Sequence, residues 1–269
     1  MAPALDHLIL LVDKLDLDAL TAAFGSSLHV LPGGTHADGL THNALITLHS
    51  GVYIELIAFV PGVSDKDRAA HWWGRKLTGW IDWCLLGEPD KILEGYTAPQ
   101  KGGRTLPDGK EIGWKVTFPR LGTDGEQRGR RPFWCADTTP REWRVRRQVF
   151  FAMSHELTEN VQVPQAGANH PSGASAVSTI TLLSSDPQRY TDSLAPILLN
   201  ESGEMYIASP ASPDAAKTRV DVRAPQSDDE REWLVARGEG LWQVSLQADK
   251  KYKGPRDVGN RIGGSIVLV

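Results

Sequence analysis

Two short apolar segments of this chain each carry one ionisable residue, and they limit what the chain can fold into. Residues 5–12 have His7 near their start, and residues 52–59 have Glu55 in their middle. Both segments have the length and the aliphatic, β-branched composition of β-strands. A carboxylate inside a buried strand is costly unless it is paired or binds a cation. The sequence therefore predicts that His7 and Glu55 form a hydrogen-bonded pair or hold a metal ion together. Two polar residues near solvent at strand ends are the plainer alternative.

The residues between these segments predict the rest of one small unit. Residues 17–24 have apolar side chains at helical spacing, and Gly25 follows in the position of a C-cap. Residues 28–31 and 41–48 predict strands, with a turn at Pro32-Gly33-Gly34 between them. The predicted order is therefore one strand, one helix and three strands.

This arrangement resembles the first module of the vicinal-oxygen-chelate superfamily, in its glyoxalase-like domain branch. The matching motifs are Leu-Asp-His at 5–7, Pro-Gly-Gly-Thr-His at 32–36, Thr-His-Asn-Ala-Leu-Ile at 41–46 and Tyr-Ile-Glu-Leu-Ile-Ala at 53–58. The resemblance implies an α+β fold built of repeated βαβββ modules that form open, strongly curved mixed sheets. In this superfamily the first and last strands of a module supply inward-facing metal ligands. Here those positions are His7 and Glu55.

The same strand and helix pattern recurs along the chain and predicts its organisation. Residues 1–138 are predicted to hold two paired modules, with module one at 4–60, an inserted amphipathic piece at 61–78 and module two at 79–138. Residues 139–172 resemble a linker, and residues 173–269 predict a third module. Aligned on module one, Thr179 falls at the position of His7 and Gln243 at that of Glu55. The third module is therefore predicted to bind no metal.

An odd number of modules leaves the third one without a partner in its own chain. A βαβββ sheet exposes one face unless something covers it. The simplest cover is the same module of a second copy, so the sequence predicts a homodimer through the third module. Residues 139–172 or the C-terminal residues 262–269 are the alternative cover.

The second module offers no obvious third ligand for a metal. Gly79 stands near the expected first-strand position, and Ala136 stands where similar fungal-type chains often have a histidine. Zinc-like catalytic sites usually have three protein ligands and a water. The candidates for the third ligand are Asp137, Cys135, Asp82 and His42. The sequence does not distinguish Zn, Mn, Mg, Ni and Fe, and a site without metal stays open.

Further site residues are predicted around the mouth of the cavity that the resemblance implies. His36 and His42 bracket a loop there, and Asn43 follows on a strand. Glu55 and His42 are the predicted catalytic residues, whereas His36 and Asn43 are predicted to bind substrate. Nine tryptophans is a high number for 269 residues. Those of the second module are predicted to line the cavity against a flat or aromatic ligand, with core packing as the alternative: Trp80, Trp83, Trp114 and Trp134.

Composition excludes several classes of function. The net charge of −4 favours neither nucleic acid nor an anionic membrane. The two cysteines, Cys84 and Cys135, are too few for a disulfide framework and suit reduced thiols in a cytoplasmic protein. No stretch reaches transmembrane length, and no basic leader precedes the first apolar run.

The resemblance and the candidate residues together predict an enzyme for a small oxygenated substrate. A divalent metal would bind neighbouring substrate oxygens and stabilise an enolate-like intermediate. Lyase or isomerase chemistry fits this better than redox chemistry. An iron oxygenase would need a second histidine, such as His42, beside the carboxylate. The rival hypothesis is a metal-free protein that binds or sequesters a small molecule.

Overall fold

The computed structural model describes residues 3–25, 27–89, 95–105, 109–120, 128–144, 169–200, 203–211, 217–259 and 264–269. Its elements follow in chain order: β1 (Ala4–Leu11), α1 (Leu17–Phe24), β2 (Leu31–Thr35), β3 (Thr41–Thr47), β4 (Tyr53–Phe59), α2 (Asp65–Ala70), β5 (Gly79–Leu86), β6 (Gln100–Thr105), β7 (Glu111–Thr117), β8 (Phe133–Asp137), α3 (Arg141–Arg144), β9 (Ala176–Leu183), α4 (Pro187–Leu198), β10 (Tyr206–Ala208), β11 (Lys217–Arg223), α5 (Asp228–Arg237), β12 (Gly240–Gln247), β13 (Asp257–Val258) and β14 (Ser265–Leu268). No helix in these ranges has the length and apolar composition that would let it cross a membrane.

The first half of the chain forms one mixed, curved sheet from two similar modules. Its strand order is β2-β3-β4-β1-β5-β8-β7-β6. β1 and β4 are parallel, as are β5 and β8, and the two modules join where β1 and β5 pair antiparallel. β1 is apolar and almost wholly buried because it is the central strand of this sheet. The predicted α+β fold of open, strongly curved sheets is confirmed.

The two edges of this sheet come together at one point. His36, just after β2, forms an isolated antiparallel bridge with Arg104 of β6. The backbone N–H of Ala37 also donates to the Gly103 carbonyl at 3.0 Å. The sheet stays open elsewhere, and this seam closes it beside the concave face. The sequence of residues 104–109 predicts a turn, but in the structure β6 extends to Thr105, and residues 106–108 lie outside the described ranges.

The Pro32-Gly33-Gly34 motif was predicted to form a turn, but it lies inside strand β2. The pairing of β2 with β3 shifts between Pro32 and Thr35, so the strand is locally irregular. A side chain at Gly33 would place its Cβ 1.9 Å from the Oδ1 atom of Asn43. Glycine is therefore required because β2 passes directly over the Asn43 side chain.

The second half repeats the arrangement of the first. β9 pairs in parallel with β11 and antiparallel with β12, as β1 does with β4 and β5. In both halves the last residue of the first strand opposes a glycine: Leu11 opposes Gly79, and Leu183 opposes Gly240. β12 therefore begins a further, reduced module and does not close the third one.

This register corrects the alignment of Gln243 with Glu55. Glu55 opposes Ile9 in β1, and the residue that opposes the matching position of β9, Thr181, is Asp221. The counterpart of His7 is still Thr179. Neither Thr179 nor Asp221 is a histidine, so this pair is not a metal-binding pair like His7 and Glu55.

The homodimer remains a prediction, but the structure does not support the argument for it from an odd number of modules. Within the described residues, β9 pairs with β12, and β12 pairs in turn with β14 of the same chain. The third module therefore already has partner strands within its own chain. One apolar core also runs through both halves, and a single bridge between Ala4 and Ala208 links their sheets.

Candidate functional site

The site is built around Glu55 on β4, which faces His7 on the neighbouring strand β1. The Nε2 atom of His7 lies 3.6 Å from Glu55 Oε2. Both side chains are buried, with 5% and 7% of their surface exposed. The two strands are parallel neighbours, and their concave side holds both groups. The sequence prediction that these residues meet within one cavity agrees with this placement.

A second histidine, His36, approaches Glu55 from the other side. Its Nε2 atom lies 3.4 Å from Glu55 Oε1, and its Nδ1 atom lies 2.7 Å from the hydroxyl of Thr41. Asn43 donates from Nδ2 to the same Oε1 at 2.5 Å. Burial alone would raise the pKa of Glu55, but His36, His7 and Asn43 together lower this pKa to about 2. Glu55 is therefore a carboxylate at neutral pH.

The inner edge of His7 contacts Asp6. The Nδ1 atom of His7 lies 3.1 Å from Asp6 Oδ2, and a carboxylate can only accept a hydrogen bond. Asp6 is fully buried and pairs with Arg144 and Arg141. Burial would raise its pKa, yet these arginines hold the pKa of Asp6 well below its usual range. The proton between Asp6 and His7 therefore belongs to His7 Nδ1, and Nε2 is directed at Glu55.

Two sets of side chains in this region have the composition of a metal site. Asp6, His7 and Cys84 each have a ligand atom within 4.8 Å of the others. A cation on that inner side would lie beside the guanidinium groups that already neutralise Asp6, so this set is a poor fit. On the outer side, His7, His36 and Glu55 present nitrogen and carboxylate donors to the cavity, and the inner nitrogen of each imidazole has an oxygen partner. This second set has the donor types that a divalent ion prefers, but its three ligand atoms do not all lie within 4.8 Å of one another, as those of the first set do.

Module two has cysteines at the positions that His7 and Glu55 have in module one. His7 opposes Tyr53, and Glu55 follows two residues later; Cys84 opposes Phe133, and Cys135 follows two residues later. Cys84, and not Gly79, is therefore the first-strand counterpart of His7. Both thiols are free and buried, and burial raises the pKa of Cys84 well above its usual value.

A cavity of about 180 Å³ opens beside Glu55. Its walls are largely aromatic, with three tryptophans and two phenylalanines: Trp72, Trp73, Trp114, Phe118 and Phe133. Trp114 thus lies where the sequence predicted. Trp72 and Trp73 come from the insert at 61–78, for which the sequence suggested either packing or a place in the cavity wall.

The other three predicted tryptophans face the core and not the cavity. Phe133 and Cys135 line the cavity, so Trp134 between them points to the opposite side of β8. The indoles of Trp80 and Trp83 donate to the carbonyls of Ser265 and Gly129. They belong to the main apolar core, and their predicted role in substrate binding is not supported by this placement.

His42 is also placed away from the site. Thr41, Asn43 and Leu45 of β3 line the cavity, so the alternation of the strand turns His42 outwards. Asn43 and His36 do reach the cavity. Among the other candidate ligands, Asp137 pairs with Arg144 and Asp82 accepts the indole N–H of Trp73, whereas Cys135 borders the cavity. The second histidine beside Glu55 is therefore His36 and not His42.

Sequence reasoning missed three polar residues of the cavity wall. His71 lies at the mouth, with Nε2 3.6 Å from Asp38 Oδ2, and burial lowers its pKa to about 4. Arg104 donates to Asn43 Oδ1 at 2.8 Å. Arg144 lines the inner end behind His7. The only sequence signal for His71 was its position next to two tryptophans, which equally suggests packing.

Comparison with solved structures shows the same fold in a protein of different sequence. A hypothetical protein from Staphylococcus aureus aligns with a TM-score of 0.65 at 14% identity, over 99% of this chain and 100% of that one. A mutant 4-hydroxymandelate synthase from Streptomyces coelicolor aligns at 0.46 and 12% identity, over 93% of this chain and 72% of that one. A methylmalonyl-CoA epimerase from Mycobacterium tuberculosis aligns at 0.31 and 14% identity, over 50% and 86%.

Comparison with sequence families is more direct. No curated protein matches the chain. The family model described as "Glyoxalase-like domain" matches residues 5–198, which is most of the chain and includes every residue of the site around Glu55. The chain therefore belongs to the glyoxalase-like domain family of the vicinal-oxygen-chelate superfamily.

Proposed function

We propose that this protein is an enzyme that acts on a small oxygenated organic molecule at Glu55. The observation that carries the proposal is one buried carboxylate with a histidine Nε2 atom 3.6 Å from one oxygen and another 3.4 Å from the other. Burying an ionised carboxylate costs free energy, and such groups concentrate at functional sites. Members of this superfamily commonly use a divalent metal ion, which supports the same reading.

The proposed metal ligands are His7 and Glu55, with His36 as the third. A divalent ion held there would supply Lewis-acid stabilisation of negative charge on neighbouring substrate oxygens. The chain's own groups orient these ligands: Asp6 holds the proton on His7 Nδ1, and Asn43 fixes Glu55 Oε1. A substrate packed against the aromatic side chains of the wall would displace water, which strengthens the charge interactions inside the cavity. We propose lyase or isomerase chemistry for this arrangement.

The proposed substrate contains a single aromatic or other planar ring. The cavity has a volume of about 180 Å³. A cavity of roughly 150 Å³ in another protein holds one benzene molecule. The tryptophans and phenylalanines of the wall offer flat apolar surface to such a ring, while Glu55 and its histidines meet its oxygen substituents.

The proposal is tested first by metal content. Protein from metal-replete growth should contain close to one equivalent of a divalent metal by elemental analysis. His7→Ala and Glu55→Gln should lose it, whereas His42→Ala, which changes the opposite face of β3, should keep it. The loaded protein is then offered one-ring compounds with adjacent oxygens, such as phenylpyruvate, and product formation is followed with and without oxygen. Oxygen-dependent turnover would replace lyase or isomerase chemistry by an oxygenase, for which His7, His36 and Glu55 are also a suitable donor set.

A metal-free binding protein is the second candidate, and two observations favour it. Glu55 accepts a hydrogen bond from Asn43 and faces two histidines, so protein groups alone can satisfy it. Module two also has Cys84 and Cys135 where the first module has its histidine and glutamate. If metal is absent and phenylpyruvate binds equally well to wild type and His7→Ala, this candidate replaces the enzyme.

We further propose a cytoplasmic protein with a small molecule as its main partner, and with neither nucleic acid nor a membrane as a target. The support is the net charge of −4 and the two free, buried thiols.

A further inference from the structure

Three neighbouring side chains contact the imidazole of His7 and limit how its ring can turn. Asp6 Oδ2 lies 3.1 Å from Nδ1 at the edge. The Tyr53 ring is stacked on one face, with centroids 4.7 Å apart and planes 11° apart. Phe133 makes an edge contact at 5.5 Å. The direction of Nε2 is therefore determined by the neighbours of His7 and not by its backbone alone.

An irregularity in β1 makes the contact with Asp6 possible. Successive side chains of a strand point to opposite faces, so Asp6 and His7 would normally be separated. The pairing of β1 with β5 shifts between Leu5 and His7, which leaves Asp6 without an opposing residue. Such a bulge re-aims a side chain. It brings the Asp6 carboxylate to the Nδ1 atom of the next residue.

Arg144, the last residue of α3, connects both groups that hold His7. Its Nη2 atom donates to Asp6 Oδ2 at 2.9 Å, and its Nη1 atom donates to the Tyr53 hydroxyl at 2.8 Å. The same guanidinium is anchored by Asp137 of β8, at 2.5 Å from Nε and 2.9 Å from Nη2. Only 5% of the Arg144 side chain is exposed. A fixed cation that follows the second module in the chain thus orients two residues of the first.

We propose that Arg144 is a positioning residue that acts through Asp6 and Tyr53. It keeps the proton of His7 on Nδ1, facing Asp6, and directs Nε2 at Glu55. Its expected effect on metal affinity rests on the function proposed above, whereas the proton position does not. Arg141 provides a matched comparison, because it pairs with Asp6 Oδ1 from the same helix.

The first test is nitrogen NMR of histidine-labelled, metal-free protein at pH 8, with the His7 signals assigned from a His7→Gln spectrum. Wild type should show a protonated Nδ1 at His7. Arg144→Gln should show a mixture of protonated and unprotonated Nδ1, and Arg144→Lys should restore part of the wild-type pattern. Arg141→Gln should keep the wild-type pattern. A wild-type His7 without a proton on Nδ1 overturns the proposal, and this measurement needs no variant at Arg144.

The second test is calorimetric titration with Co²⁺. Arg144→Gln should bind Co²⁺ about 10- to 100-fold more weakly than wild type, which is the usual effect of removing a group that orients a metal ligand. Arg144→Lys should recover part of this loss, and Tyr53→Phe, which removes only the phenol contact, should lose less. Equal affinity in wild type and Arg144→Gln overturns the proposal. If wild type binds no Co²⁺ while the proton lies on Nδ1, the proposed metal function fails and the positioning role stands.

Discussion

Cys84 occupies in β5 the strand position that His7 occupies in β1. Each opposes an aromatic residue of the parallel strand, Phe133 for Cys84 and Tyr53 for His7. The pseudo-symmetry of the two modules is thus kept in the backbone and lost in the chemistry. One module offers an imidazole and a carboxylate, and the other offers two thiols.

These thiols should react slowly while the protein is folded. The exposed fractions of Cys84 and Cys135 are 0% and 2%, and burial raises the pKa of the Cys84 thiol. We expect no fast reaction with Ellman's reagent in native buffer and two equivalents in denaturant. Cys135 borders the cavity and should react first, so Cys135→Ser should remove the earlier phase. A fast equivalent that persists in Cys135→Ser would contradict this description.

Gly33→Ala should weaken both the fold and the site. The added Cβ would lie 1.9 Å from the Asn43 side-chain oxygen and 2.5 Å from its carbonyl oxygen. Relieving such an overlap costs about 1–3 kcal/mol of unfolding free energy, and it must displace the residue that holds Glu55 Oε1. Urea unfolding measures the first effect. Gly34→Ala is the control, because its nearest atom is 3.7 Å away. Equal stability of the two variants would show that β2 does not pass so closely.

His170 should make the protein less stable as pH falls from about 6.5 to about 4. Burial lowers the pKa of His170 to about 4 from 6.5. Between these values the unfolded state binds a proton that the folded state does not, so the free energy of unfolding decreases with decreasing pH. In the folded protein Nδ1 accepts the backbone N–H of His29 at 3.0 Å, so that nitrogen has no room for a second proton. The Thr47 carbonyl, 2.9 Å from Nε2, raises the pKa, but burial lowers it by more.

The measurement for His170 compares wild type with His170→Gln by urea unfolding at several pH values. The difference between the two should change across pH 6.5 to 4 and stay constant above about pH 7. His71, whose pKa is also about 4, adds a similar slope to both proteins and cancels in the difference. A pH-independent difference would contradict the assigned role.

Ligand binding should quench tryptophan fluorescence through the insert and β7. Trp72 and Trp114 line the cavity, whereas Trp233 and Trp242 contact each other in the second half of the chain. Titration with phenylpyruvate should quench wild type, and Trp72→Phe and Trp114→Phe should each lose part of the quenching. Trp233→Phe should keep it all. Quenching that depends on Trp233 would place the ligand elsewhere.

The strands that hold the site could be predicted from the sequence, because their apolar runs are long and bounded by turns. The predicted strand at 79–86 matches β5 at both ends, and His7 and Glu55 lie where the runs placed them. The choice between His36 and His42 could not be made in this way. Nearly every residue of β3 is buried, so its pattern does not reveal which side faces the cavity.

Strand pairing was the other information that the sequence lacked. β12 looks like the closing strand of a module in length and composition, and only its antiparallel pairing with β9 identifies it as an opening strand. β6 was missed because its Gly102-Gly103 pair and polar residues favour a turn, yet its pairing with β7 is continuous. The network from Arg144 to His7 joins residues far apart in the chain, so no local sequence pattern predicts it.

The bridge that joins the two edges of the first sheet involves a residue that also contacts Glu55. His36 pairs with Arg104 through its main chain and faces Glu55 with its side chain. A movement that separated these two edges would therefore also displace an imidazole from Glu55. One residue thus links the closure of the sheet to the electrostatic environment of the buried carboxylate.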